Sequence, residues 1–329
     1  MFLLRSLFIE LLQRKVRHNR GSQFGVCMFS RLRVFVFVFI ITLLSGCTLK
    51  FVYNQLEWLI PWYLEDFIEF EGGQIELFDS QLDDYLSWHR HQALPEYANF
   101  LERLSELSSQ SWNSQNQVFE PFSRAKLLDL ERQLNVLLSQ TVSPLVKPSV
   151  VLIRQLSADQ IEQIRQGFTK SNKKFSGRFE GKSEVEIREE RAQKVTDLFE
   201  SFLGELNEQQ QQSIAKWQKA YIPMEDVLLS TRQRWQTKFL EVLTFAPQMT
   251  DEVLSNKLTH LYTQGESYRL PEHQLIYDAN KQEFFKLIQA IQSNSSHIQY
   301  EYLQEELSEY QQDLTELAQR VEPEPMFEF

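Results

Sequence analysis

The sequence predicts an all-α protein, a multi-helix bundle or an elongated helical array, preceded by a lipoprotein signal peptide. Three observations carry the fold class. Apolar residues recur every three or four positions along most of the chain, and no stretch alternates with period two over more than a few residues. Helix breakers fall between these stripes rather than inside them. Glycine is scarce, 10 of 329 residues, which leaves little material for tight hairpins or for glycine-rich phosphate loops. A composition of 42% hydrophobic and 24% charged residues is that of a globular protein, so disorder throughout and a polytopic membrane protein are both excluded. The formal net charge of -11 opposes nonspecific binding to nucleic acid.

At the amino end, Arg31 and Arg33 precede a short hydrophobic run over residues 34–44. A membrane-spanning helix needs about 20 apolar residues, so this run reads as the h-region of a signal peptide. It closes on Leu44, Ser45, Gly46 and Cys47, which resemble the bacterial lipobox. Small residues at 45 and 46 admit a peptidase to extended backbone, and the Cys47 thiol takes the lipid. Residues 1–46 are therefore expected to be a leader, with Met28 as the true start, and residues 47–60 a lipidated tether. Cleavage removes Cys27 and leaves no cysteine for a disulfide, a thiolate metal site or a catalytic thiol. Acyl chains hold through about 0.8 kcal/mol per buried methylene. Thr48 stands where an aspartate would resemble an inner-membrane retention signal, so the expected address is the periplasmic face of the outer membrane.

A helical domain is expected over residues 61–321, in roughly nine helices of ordinary length. Its first stripe is Ile75, Phe78, Leu82, Tyr85 and His89, with Glu76, Asp79 and Asp83 on the other side. Ala98, Leu101, Leu104 and Leu107 form the second, and Leu127, Leu130, Leu134, Leu137 and Leu138 the third. Then come Val195, Leu198, Phe199, Phe202 and Leu206, followed by Leu228, Trp235, Phe239 and Val242. Phe284, Leu287, Ile288 and Ile291 precede a last stripe of Tyr300, Leu303, Leu307, Leu314 and Leu317. Breaks are expected at Pro61, Gly72-Gly73, Pro95, Pro144 with Pro148, residues 177–181, Pro223, Pro247 and Pro271. Pro323 and Pro325 bar a helix from the tail, residues 322–329, which is expected to be loose.

One short pattern recurs. Leu156-Ser157-Ala158-Asp159-Gln160 and Leu206-Asn207-Glu208-Gln209-Gln210 lie 50 residues apart, with a degenerate copy at Phe70 to Gln74. Ser157 or Asn207 can cap a helix start, Gln160 or Gln210 can reach back as in a capping box, and the preceding leucine can pack as a staple. The same pattern resembles the Leu-Thr-x-x-Gln signature of the small helical periplasmic stress chaperones related to Spy and CpxP, with Ser157 and Asn207 in place of threonine. That resemblance implies a chaperone-like role.

A second resemblance covers more of the chain. Tyr53-Asn54, Ile60-Pro61-Trp62, Asp66, Gln74, Trp88-His89-Arg90 and Leu94-Pro95-Glu96-Tyr97 follow the lipobox in order. This order is similar to that of a family of proteobacterial lipoproteins known as domain of unknown function 6279. The resemblance implies an all-α envelope lipoprotein and carries no activity.

The groups that could do chemistry are few. His89 continues a core stripe, and Arg90 stands where it could meet Asp66 or Glu65. Asp66, Trp88, His89 and Arg90 are thus a candidate binding cleft, able to serve as an acid–base site or as a buried ion pair beside a satisfied histidine. His89 and His91 fall on opposed helix faces, and neither His-Glu-x-x-His nor a paired Glu-x-x-His occurs, so no metal and no cofactor is expected. Gly177 to Ser183 has one residue too few for a phosphate loop and reads as a joint between helices. Lys170, Lys173, Lys174, Arg178 and Lys182 form the one basic run, either a solvated tip or a contact for lipid phosphates or an acidic protein. Aromatic residues crowd positions 51–63, suited either to a core or to a membrane interface. The expected function is that of a noncatalytic, outer-membrane-anchored binding or scaffold protein, tied to the membrane through its lipid and meeting an envelope protein or client. A chaperone-like role and an enzyme built on His89, Arg90 and a carboxylate are the alternatives.

Overall fold

The computed structural model describes residues 47–319. Leu44, Ser45 and Gly46, the other residues of 1–46 expected as a leader, and the tail at 322–329 lie outside the described residues, as does the side chain of Cys47. The described residues form an all-α array of eleven continuous helices with one two-stranded ribbon. Helix α1 is Cys47–Tyr53 and α2 is Leu56–Leu64. Helix α3 runs over 73–111 as Gly73–Trp88, a π-helical turn at His89–Ala93, and Leu94–Ser111. The ribbon pairs Trp112–Asn113 with Val118–Phe119 in antiparallel register. Helix α4, Arg124–Ile153, contains a 3-10 turn at Ser143–Leu145. There follow α5 (Ala158–Ser176), α6 (Glu184–Leu203), α7 (Glu208–Ala220), α8 (Glu225–Phe245), α9 (Asp251–Thr263), α10 (Pro271–Ser293) and α11 (His297–Gln319).

Local chemistry explains most of these boundaries. Ser123, Ser157, Ser183, Asn207 and Thr250 each accept a backbone N–H of the helix they start. An accepted bond of this kind contributes about 1 kcal/mol. Residues 177–183 join α5 to α6, with Ser183 and Glu186 closing a capping box of their own. Three expected breaks do not occur, the pair Pro144 and Pro148 lying inside α4 at and just after its 3-10 turn. Pro95 falls just after the π-turn, where the Leu94 N–H bonds to the carbonyl of His89 five residues back. The widened turn takes up the mismatch of a residue that has no N–H to donate. Pro61 lies inside α2, which survives because Tyr63 is buried and packs on Phe67.

Residues 47–60, expected as a tether, are instead helix α1 and most of α2, docked on the body. Tyr53 is buried with Leu94, Ala98, Leu314 and Leu317. Lys50 pairs with Asp313 at 2.8 Å and with Glu316 at 2.6 Å. The apolar residues that follow Cys47 find a core in the last helix, more than 250 positions away, which periodicity cannot foresee.

Among the described residues the interior consists of four cores rather than one. The first joins Val150, Ile153, Ile164, Phe168, Leu240, Leu243, Leu254 and Leu258, from α4, α5, α8 and α9. The second joins Leu203, Leu206, Trp217, Val227, Leu287 and Ile291, from α6, α7, α8 and α10. The third lies between α1, α3 and α11, and the fourth holds Phe119, Phe122, Leu127 and Phe285 beside the ribbon. Helix α8, about 30 Å long at 1.5 Å per residue, reaches from the second core at Val227 to the first at Leu243. Helix α11 packs along Leu94–Ser111 for most of its length. Among the described residues only Arg124–Ile153 is long and apolar enough to cross a membrane. It packs against α9 and the π-turn, and it buries Leu127, Leu137, Val142, Val150 and Ile153.

Candidate functional site

The Trp88-His89-Arg90 segment enters the π-turn of α3, a feature that often marks a functional position. The turn directs three consecutive polar side chains onto neighbouring elements. His89 Nδ1 hydrogen-bonds the Tyr53 hydroxyl at 2.9 Å, and the two rings stack with centroids 5.7 Å apart. Tyr85 and Tyr97 flank the imidazole at 5.9 and 5.8 Å, and Trp88 meets it edge-on. Burial, and then the adjacent Arg90 charge, lower the His89 pKa to about 4, so the imidazole is neutral at pH 7. The Tyr85 hydroxyl donates to the Thr141 carbonyl at 3.2 Å, and the Tyr97 hydroxyl bonds the Thr141 hydroxyl. Burial raises the pKa of both phenols. This aromatic nest joins α1, α3 and α4.

Arg90 turns toward α11. It is 6% exposed, its guanidinium lies 5.1 Å from the Tyr53 ring centroid, and Nη1 donates to the Leu317 carbonyl at 3.3 Å. His91 Nδ1 lies 3.0 Å from the Ala318 carbonyl. Arg90 and His91 thus both meet main-chain carbonyls in the last described turn of α11. The carboxylate expected opposite Arg90 is therefore replaced by main-chain oxygen. Arg90 Nε has no hydrogen-bond partner. Asp66 bears on a different element, with its carboxylate 3.7 Å from Lys170 of α5. The structure thus brings Trp88, His89 and Arg90 together with Tyr53, while Asp66 faces another helix. Among the described residues no group of three His, Cys, Asp or Glu side chains is placed to hold a metal ion.

The recurring glutamine pattern forms a second constellation. Ser157 with Gln160 and Asn207 with Gln210 are complete capping boxes, as the spacing predicts. Leu156 packs against the first core, and Leu206 is buried in the second. The structure adds pairing. Gln160 Nε2 donates to Gln74 Oε1 at 2.6 Å, and Gln74 Nε2 donates to Gln160 Oε1 at 3.1 Å. Gln210 and Gln299 exchange the same two bonds at 3.1 and 2.8 Å. Within the first pair each amide also donates across to the carbonyl five residues before its partner, Gln74 to Gln155 and Gln160 to Glu69. Gln299 does likewise with Glu205. Four helix starts are therefore clasped two by two. Gln160 and Gln210 are 1% and 0% exposed, so they act on the fold and meet no ligand from solvent. The fourth member escaped sequence reading because Ser295 stands where the leucine should be. Its cap, Ser296 with Gln299, is intact and could have been found by spacing alone.

The Lys170 to Lys182 run lines the α5–α6 joint. Lys182 pairs with Glu190, and Lys170 with Asp66.

A family of unknown function, DUF6279, matches residues 66–270, well over half of the chain. No curated protein and no solved structure matches. The match takes in α3 to α9, with the π-turn and three of the four clasping glutamines, and the chain belongs to that family.

Proposed function

We propose that this member of the family is a lipid-anchored, noncatalytic binding or scaffold protein of the bacterial envelope, held by Cys47 at the periplasmic face of the outer membrane. The observation that carries the reading is the lipobox, Leu44-Ser45-Gly46-Cys47, after a short apolar run preceded by arginines. Acylation of Cys47 would place the lipid at the first residue of a helix fastened to the body through Tyr53 and Lys50. Hydrogen bonds to Asp313 and Glu316 raise the Lys50 pKa above its ordinary value, so this contact is charged throughout the neutral range. An enzyme on His89 and Arg90 draws less support, because among the described residues neither side chain has a carboxylate to orient it. The chaperone-like reading draws none from the glutamines, which are shut inside the fold.

Metabolic labelling with a clickable fatty acid tests the anchor. The wild-type chain is expected to take up label and to fractionate with membranes, and Cys47→Ser to do neither. Equal labelling of both chains, or a wild-type product in the soluble fraction, would defeat the proposal. Crosslinking in intact cells, followed by identification of the adducts, then addresses the partner.

A further inference from the structure

A cleft of about 270 Å³ lies where the second and fourth cores meet. Its walls are Trp217 of α7, Tyr221 and Met224 of the turn into α8, and Tyr277, Phe284 and Phe285 of α10. The Trp217 ring centroid is 5.2 Å from that of Tyr221 and 6.3 Å from that of Phe284. Asn280 ties the turn to α10, since its Oδ1 accepts the Ile222 N–H at 2.9 Å and its Nδ2 donates to the Ile222 carbonyl at 2.7 Å. The walls are therefore set before any ligand arrives. Among the described residues, the charged side chains that line the cleft are Lys281 of α10 and Glu131 of α4. Lys281 Nζ stands 3.3 Å from both oxygens of the Glu131 carboxylate. A tight ammonium–carboxylate bond closes to about 2.7–2.9 Å. Both side chains also keep part of their surface in solvent, 24% and 28%. A loose, partly exposed pair contributes little to stability and opens at small cost.

We propose that this cleft binds a free aromatic amino acid, with the ring between the aromatic walls and the two charged ends on Glu131 and Lys281. Size, walls and charge select the same class. An apolar cavity of about 150 Å³ takes benzene, so a cleft of about 270 Å³ admits a phenyl or indole ring together with its α-carbon head. Aromatic walls favour a flat ring over an aliphatic chain, because rings gain from offset and edge-on contacts beyond the area they bury. Arg269 lies 3.9 Å from the Tyr277 ring centroid and holds that wall from behind the lining. The opposite charges of Lys281 and Glu131 match a zwitterion. The α-ammonium goes to Glu131 and the α-carboxylate to Lys281, so each charge that leaves the present pair finds a new partner. A simple anion would leave Glu131 unpaired beside it, and a simple cation would leave Lys281 so, each at a desolvation cost. The inference goes beyond the lipid anchor and does not rest on it, since no residue of α1 lines the cleft.

The test is calorimetric titration of the full chain, purified as the cell makes it, with L-phenylalanine and with L-tryptophan. The same medium without protein is the blank and subtracts partition into any lipid present. Saturable binding of one molecule per chain is expected for at least one of the two. 3-Phenylpropionate, which lacks the ammonium, and phenethylamine, which lacks the carboxylate, are each expected to bind about tenfold more weakly or worse. Glu131→Gln and Lys281→Met should each weaken the amino acid by a similar factor. Both positions are partly exposed, and unchanged circular dichroism and melting serve as the control. The double exchange Glu131→Lys with Lys281→Glu keeps the pair with its signs reversed and is expected to restore most of the affinity. Absence of saturable binding at millimolar amino acid overturns the assignment. So does 3-phenylpropionate that binds as tightly as L-phenylalanine, or binding that Glu131→Gln and Lys281→Met leave unaltered. Tighter binding of N-acetyl-phenylalaninamide would also overturn it and assign the cleft to an apolar residue within a peptide. Fatty-acid labelling reports the anchor separately, so an unlabelled chain that binds the amino acid defeats the anchor alone, and a labelled chain that does not defeats the cleft alone.

Discussion

The buried imidazole has a consequence that can be measured. Its folded pKa of about 4 lies below the ordinary value of 6.5, so between these values the unfolded chain binds the proton and the folded chain does not. The stability that follows is complete above pH 6.5 and is lost as pH falls toward 4. Acidification from pH 7.5 to 5 is expected to remove about 2 kcal/mol. His89→Phe keeps the ring contacts and abolishes this component, so its urea midpoint should fall less between the two pH values than that of the wild type. A mutant with the full wild-type slope would show that another group is responsible. Periodicity placed His89 on a core stripe, and there it lies. The partner of Arg90 was not legible, because a main-chain carbonyl 227 residues away leaves no mark in composition or spacing.

At the level of the helix, starts were more legible than interiors. The cap residues and their glutamines were readable because a capping box is local and fixes residue type at fixed spacing. Their pairing was not, since nothing in one start names its partner. The pairing predicts coupling. Gln74→Leu and Gln160→Leu should each cost about 1–3 kcal/mol by stranding the other amide. The double substitution should cost less than the sum by about 1 kcal/mol or more. Gln74→Leu with Gln210→Leu should be additive, and a double-mutant cycle by chemical denaturation distinguishes the two cases. A second constraint lies at Gly167 of α5. A Cβ there would stand 2.8 Å from the Phe67 ring and 2.9 Å from the Asp66 carbonyl oxygen. Gly167→Ala gains helix propensity but must push two elements apart, and a net loss of about 1–3 kcal/mol is expected in thermal or urea unfolding. The proline breaks failed at Pro61 and Pro95 for one reason: tertiary packing and a π-turn outweighed a local penalty of about 3 kcal/mol.

For the molecule as a whole, the helical class was plain from the three-to-four spacing, and the division into four cores was not. Stripes report that a face is buried and say nothing of what it meets. The division predicts uneven protection. Ala246, Leu254 and Leu258 in the first core are 0% exposed, whereas Tyr53 in the smaller third core is 8%. Amides of α8 and α9 should exchange slowest with deuterium, and those of α1 and α2 fastest, with a difference of several orders of magnitude in native buffer. Uniform protection would mean that the cores unfold as one unit. The clasps also impose an order in time. The first joins residues 86 positions apart and is complete within the first half of the chain, while the second spans 89 positions wholly within the second half. Each can therefore close as its own stretch emerges during synthesis, without waiting for the other. Tyr53 and Lys50 have no such independence. Their partners, Asp313, Leu314, Glu316 and Leu317, lie in the last described helix, so the first described helix is seated only when that helix, made more than 250 residues later, returns to it.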